Sequence, residues 1–396
     1  MTIAAAADRP IYLDNHATTR TDPRVVEVML PWFSDHYGNA GSVVHGFGES
    51  AREAVEAARE TVARAIGAEP GEIVFTSGAT ESNNLAIRGV AERPRRRSDH
   101  LVSVTTEHRA VLDPLARLAS AGYEVTLLSV APHDSPAAGL IDPAAVAASI
   151  TPSTCLVSVM VANNEIGAIQ PLAQISQHTR SAGVLLHTDA TQAVGKLPVD
   201  VGELGVDLMS FTAHKLHGPK GVGALYVRRR DPIVRLAPQL TGGGQERGRR
   251  SGTLNVPGIV GFAKAVQLCG EEMDAERRRR RVLRDRLSAG LRERIADLRI
   301  CGPALDRPDR LDGNLSVWIP GVDGETIMLQ TPEIAMSSGA ACSTADPEPS
   351  HVLMALGLSA DEARCTLRFG VSRFTTEAEI DRAAAALGDA VVRLRG

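Results

Sequence analysis

Between about residues 60 and 230 the chain alternates between short apolar runs and longer amphipathic ones. EIVFTSG, HLVSVTTEH, EVTLLSV, CLVSVMVANNE, VLLHTDA, DLMSFTA and GALYVRR are short, rich in Val, Leu and Ile, and often end in polar residues. That is how strands read in a sheet covered on both faces. Between them lie helical patterns such as SAREAVEAARETVARAIG, SNNLAIRGVAE and VLDPLARLASAG. Repeated strand–helix–strand units predict an α/β fold with a mostly parallel sheet and helices on both faces. In such folds ligands gather at the carboxyl ends of the strands, so the polar residues that follow each apolar run are the candidates for chemistry.

At 396 residues the chain is long enough for a large domain and a smaller one. A helical stretch from near Pro257 to about Ile295 leads into the second, which has strand-like NLSVWIP and RCTLRFGVS and helices at HVLMALGL and TEAEIDRAAAALGDAVVRL. Ser359 with Glu362, and Thr376 with Glu379, have capping-box spacing. The run Arg277 to Arg281 follows Glu271, Glu272, Asp274 and Glu276; it reads as a solvated helix face whose crowding those acids relieve. The expected division is an N-terminal segment 1–20 packed with the small domain, a large domain 21–258 and a small domain 259–396.

A net charge of −4 gives no general attraction to nucleic acid or anionic membrane. No run approaches 18 apolar residues, and the N-terminus lacks a signal-peptide pattern. The five cysteines are odd in number and widely spaced, with no zinc-ligand pattern, which suits a reducing cytoplasm. Cys155, Cys269, Cys301 and Cys365 read as packed residues. Cys342 differs: it sits in SSGAACSTADPEP (337–349), a pliable stretch more suited to a reactive thiol than a structural one.

Four strand ends carry candidate chemistry. Lys215, in FTAHKLHGPKG, follows DLMS; an amine held there is desolvated and more easily deprotonated, as imine formation requires, although alone it also reads as a surface lysine. Asp189 ends VLLHTD, where a buried carboxylate needs a cationic partner such as a protonated ring nitrogen. FTSGATESNN (75–84) is a Gly-centred turn opening a helix; its backbone N–H groups, Ser77 and Thr80 suit a phosphate, as would many plain helix starts. His108, in TTEHRAV, could stack on a planar ring or be satisfied structure. Together the four describe a site for pyridoxal phosphate.

The motifs YLDNHATT (12–19), VFTSGATESNN (74–84), TTEHRAVL (105–112), ANNEIG (162–167), HTDATQAVGK (187–196), AHKLHGPKG (213–221), GGGQERGRRSGT (242–253), SSGAAC (337–342) and RFG (368–370) occur in that order. With them the chain resembles the cysteine desulfurases of the class V aminotransferases, fold-type I pyridoxal-phosphate enzymes, and among these the subgroup of iron–sulfur-cluster and nitrogenase-type enzymes. The resemblance implies a seven-stranded large domain, a small α+β domain carrying the cysteine loop (about 336–348), and a homodimer with shared sites. It implies Lys215 as the imine-forming lysine, which also moves the Cα proton, Asp189 on the pyridinium nitrogen, and Gln192 on the ring oxygen. His108 would stack on the ring and act as acid or base, and Asn164 would lie near cofactor and substrate. Ala79, Thr80, Thr212 and His214 would hold the phosphate, Thr253 would reach the phosphate of the neighbouring subunit, and Arg368 would clamp the substrate carboxylate. GNAGS (38–42) departs from the family's GNPSS-like stretch, and His16 occupies a variable position to which no role is given.

On that resemblance the expected reaction converts L-cysteine to L-alanine and leaves the sulfur on Cys342 as a persulfide for an acceptor protein. A selenocysteine lyase, another lyase or transaminase on the same fold, or a cofactor-bearing scaffold without turnover are the alternatives. The acceptor stays open among iron–sulfur assembly, tRNA thiolation, DNA sulfur modification and a biosynthetic carrier.

Overall fold

The computed structural model describes residues 10–93, 98–339 and 348–396, so Cys342 and most of its loop lie outside the described residues. The first strand, β1 (Ile11–Tyr12), stands apart from the large sheet. That sheet contains β2 (Ile73–Thr76), β3 (His100–Val104), β4 (Glu124–Leu128), β5 (Thr154–Ser158), β6 (Leu185–Asp189), β7 (Leu208–Thr212) and β8 (Gly223–Val227). Its order is β2-β8-β7-β6-β5-β3-β4. Only β8 runs against its neighbours; the other pairings are parallel. Each apolar run named above forms one of these strands.

The period-2 alternation of a strand separates its side chains between two cores. Val102, Val157, Met209 and Ala224 enter a cluster with the helix Gly46–Arg64 and the first half of a long helix, Val256–Arg292. Their neighbours Leu101, Leu156, Leu208 and Leu225 enter the opposite cluster, with Leu85, Ile87 and Val90 of the helix Ala79–Ala91 and Leu115 and Leu118 of Arg109–Ser120. Both faces are dry, which is why the strands are apolar throughout.

Beyond residue 292 come β9 (Arg299–Ile300), β10 (Asn314–Trp318), β11 (Ile334–Ala335), β12 (Ser337–Ser338) and β13 (Thr366–Gly370). Four form an antiparallel sheet, β12-β13-β10-β9, while β1 pairs in parallel with β11. A further core joins Leu283, Leu287 and Leu291 of the long helix to β10, β13 and the C-terminal helix Glu377–Arg395; Ile11 and Leu13 enter it as well. The 37-residue helix is therefore shared between two cores. Asn255 caps it through Gly258 N–H, with Pro257 in its first turn. The two capping boxes of the C-terminal region are formed.

One expectation needs correction. The arginine run is not a solvated face: Arg280 is buried, Arg277 and Arg281 both bond Asp312, and Arg279 donates to the carbonyls of Ser372 and Thr375. The small sheet packs beside the helix, so partners come from distant sequence rather than from the preceding acids. Cys365 is half-buried and packs against the cluster of Val352, Leu353 and Leu356, and Cys155, Cys269 and Cys301 are buried, as expected. No helix among the described residues is long and apolar enough to cross a membrane.

Candidate active site

The carboxyl ends of the parallel strands open onto one cleft of about 670 Å3. It is lined by Ala79 and Thr80 after β2, His108 after β3, Asn164 after β5, Asp189 and Gln192 at β6, Thr212, His214 and Lys215 at β7, and Arg368 from β13. Ten of the twelve candidate residues thus meet in one place. Cys342 lies outside the described residues. Thr253 is exposed on the loop before the long helix and does not line this cleft.

Local structure explains each placement. Lys215 closes a short 3-10 turn, Ala213–Lys215, directly after β7. Its Nζ donates to the carbonyls of His16 and Ala17, each at 2.5 Å. Burial, reinforced by Arg368, pulls its pKa down to about 8, against the opposing pull of Asp14 and Asp189. Asp189 is 5% exposed. One carboxylate oxygen accepts from Asn83 Nδ2 at 2.7 Å and the other from Thr191 N–H at 2.9 Å. Beside it lies the buried Glu107, its pKa raised well above the usual carboxyl range by burial and then by Asp189.

His108 caps the helix Arg109–Ser120 by accepting the Ala110 N–H on Nδ1 at 3.0 Å, which leaves Nε2 available. Burial lowers its pKa. His214 bonds Thr18 Oγ1 at 3.1 Å, and its pKa falls to about 4 through burial and then Lys215. Thr212 donates its hydroxyl to the Val222 carbonyl at 3.0 Å. Arg368 donates to Asp14 and Ser337 at 2.8 and 2.7 Å, while its Nε finds no partner among the described residues.

The donor set fits pyridoxal phosphate. The helix Ala79–Ala91 starts in the cleft, where its first-turn N–H groups lack intrahelical acceptors and suit an anion. Gly223 allows the tight turn before it: a Cβ there would sit 2.7 Å from Gly78 Cα. The carboxylate of Asp189 suits a protonated ring nitrogen, and the amine of Lys215 suits an aldehyde. Buried atoms left without partners among the described residues, His16 Nε2, Asn83 Oδ1 and Thr191 Oγ1, cluster near it.

Sequence reasoning gave His16 no role, yet its carbonyl accepts from both Lys215 and Gln192 and its Nδ1 bonds Gln192 Oε1 at 3.1 Å. The only available signal was its place within YLDNHATT. The pairing of β1 with β11, and an Asp14–Gly370 bridge, carry that segment past the cleft.

Comparison with known proteins agrees. The class V aminotransferase family model matches residues 11–383. Cysteine desulfurase IscS of Anaeromyxobacter dehalogenans (strain 2CP-C) is 53% identical over 386 residues, covering 98% of this chain and 93% of the relative. Cysteine desulfurase IscS of Methylococcus capsulatus (strain ATCC 33009 / NCIMB 11132 / Bath) is 50% identical over the same shares. A solved NifS-like protein superposes with a TM-score of 0.88 at 36% identity, covering 97% of this chain and all of the other. The chain belongs to the class V aminotransferase family. Within it, the relatives place the chain among the pyridoxal-phosphate-dependent cysteine desulfurases.

Proposed function

We propose that the enzyme converts L-cysteine to L-alanine and passes the sulfur, as a persulfide on Cys342, to an acceptor protein. The observation that carries this reading is the convergence of Lys215, Asp189, His108 and Arg368 on one cleft, with the Lys215 amine brought down to about 8. Lys215 would hold the cofactor's aldehyde carbon, Asp189 its ring nitrogen and Gln192 its ring oxygen. His108 would lie against the ring, with Asn164 beside cofactor and substrate. Ala79, Thr80, Thr212 and His214 would hold the phosphate. Arg368, with Nε free, would take the substrate carboxylate.

When bound, pyridoxal phosphate accepts the electron pair left at Cα once its proton is removed. Lys215, displaced by substrate, takes that proton. The thiolate of Cys342 attacks the substrate sulfur; the S–S bond forms as Cβ–S breaks, and the electron pair of the broken bond stays with carbon. Two protons then return, one to Cβ, which replaces the sulfur and equals the one lost from the Cys342 thiol, and one to Cα; Lys215 and His108 would deliver them, and alanine leaves.

Cys342→Ser is expected to lower alanine formation from L-cysteine by ~10²-fold or more and to abolish labelling of the protein by [³⁵S]cysteine. Label that persists on the serine variant would overturn the persulfide step. Unchanged activity toward selenocysteine in the same variant would favour a selenocysteine lyase.

The same reading makes the enzyme a cytoplasmic homodimer, divided at about residues 20 and 258, with the long helix linking the two cores. Leu30, Phe33, Tyr37, Val43, Val44 and Phe47 are between 56% and 88% exposed, an apolar stretch that a second copy would cover. Thr253, exposed and not lining its own cleft, would then serve the partner's. Val44→Asp with Phe47→Asp is expected to shift sedimentation from dimer to monomer and to cost at least ~10-fold in activity. A wild-type protein that sediments as an active monomer would refute the shared-site reading.

A further inference from the structure

Lys196 is a half-buried lysine whose amine the reaction outlined above does not use. It follows Gly195, whose φ is +76° and whose Cβ, if present, would lie 2.9 Å from Leu216 Cβ and 3.1 Å from Cys269 Sγ. Only glycine turns the chain there and sends Lys196 back behind the wall of the cleft. Among the described residues it forms no ion pair. The small cavity beside it is lined by Arg280, Arg373 and Cys269 and by the acids Glu276 and Asp312, neither of which pairs with it: Asp312 is taken by Arg277 and Arg281. Burial, then Lys215 and Arg280, push its pKa well below the usual range. A buried amine without a counter-charge costs folding free energy.

Its one hydrogen bond points to what it does. Nζ donates to Gln192 Oε1 at 2.5 Å, one helical turn earlier in sequence. The same oxygen meets His16 Nδ1 at 3.1 Å, and Gln192 Nε2 donates to the His16 carbonyl at 3.0 Å. Thus the amide oxygen is occupied from behind by Lys196 and from the side by His16. One N–H is used on His16, and the second is the group left for the cleft that Gln192 lines. An amide rotated by 180° would set N–H against His16 Nδ1 and the Lys196 amine, and oxygen against the His16 carbonyl.

We infer that Lys196 is a positioning residue: it pins the oxygen of the Gln192 amide on the far side of the cleft wall, so that an N–H, not a carbonyl, is presented to the ring oxygen of pyridoxal phosphate. This rests on Gln192 facing that ring oxygen, as proposed above.

The test is a double-mutant cycle on the holoenzyme with Lys196→Met, Gln192→Ala and the pair. Met keeps length and bulk without a donor, and removing a half-buried amine that has no ion-pair partner among the described residues should leave the melting temperature equal or higher. Lys196→Met is expected to weaken pyridoxal phosphate binding to the apoprotein by about 5-fold and to lower kcat by about 10-fold with KM within about twofold. It should also shift the pH midpoint of the visible cofactor band. In the Gln192→Ala background the same substitution should change each quantity by less than about twofold. Full effects of Lys196→Met in that background, or no effect in the wild-type background, would overturn the role of Lys196 alone. A Gln192→Ala variant with unaltered band and affinity would overturn the Gln192 assignment and the inference with it.

Discussion

Lys215→Ala is expected to fold, to lose the visible band of the lysine-bound cofactor, and to lose turnover by ~10⁴-fold. The lysine sits where a proton must be taken from Cα and returned; Lys196 is engaged behind the cleft wall, and Lys220, which also lines the cleft, is exposed to solvent. The fold should survive because Lys215 costs stability in the apoprotein. Its folded pKa of about 8 lies below the ordinary lysine value of 10.5, since burial and Arg368 disfavour the ammonium. Below pH 8 both folded and unfolded states carry the proton and the cost is fully present. Between about pH 8 and 10.5 the unfolded state holds more protons than the folded one, so stability rises with pH through that window. The rise from this group is at most ~3 kcal/mol. Urea unfolding of apoprotein at pH 7, 8, 9 and 10 should show that slope in the wild type and a flatter one in Lys215→Met. Equal slopes would mean that Lys215 is not the desolvated amine described, and an active Lys215→Ala variant would remove it from the chemistry.

Much of this site was readable before any coordinates because each strand ends in its own short polar signature. The continuous apolar runs can be satisfied only by a sheet buried on both faces, and the residues directly after them then have to meet at one edge. What escaped was held by partners far apart in sequence. His16 matters through its backbone carbonyl, which no side-chain pattern reports. Lys196 looked like the end of a motif, and its inward turn depends on the left-handed conformation at Gly195. The five arginines carried a surface-like composition, yet Arg280 is buried and Asp312, more than thirty residues on, bonds two of them. β1, β9, β11 and β12 are two residues each, too short to have a periodicity. The reversed direction of β8 was equally silent, since a buried central strand is apolar whichever way it runs.

Asp189→Asn is expected to lower kcat by ~10³-fold while leaving the apoprotein at least as stable as wild type. The two parts have separate causes. For the fold, the carboxylate oxygens face two donors, Asn83 Nδ2 and Thr191 N–H. An amide at position 189 would turn its own NH2 toward one of them. Asn83 can absorb the change by rotating, because its Oδ1 has no partner among the described residues and would accept that N–H. The substitution also removes the charge that, after burial, most raises the pKa of Glu107. In the wild type that buried carboxyl is harder to ionise than in the unfolded chain, so it costs stability increasingly as pH rises above the ordinary carboxyl range. Without the charge at position 189 the cost shrinks, and the variant should lose less stability than the wild type does as pH rises above the ordinary carboxyl range. For the chemistry, an amide cannot supply the negative charge that keeps a ring nitrogen protonated, so the electron pair left at Cα has no acceptor. Asp189→Glu keeps the charge but lengthens the side chain in a fully packed position; it should destabilise the protein and retain more activity per folded molecule than the Asn variant. If instead Asp189→Asn turns over at near wild-type rate while Asp189→Glu is the slower, the carboxylate matters for its shape and not for its charge.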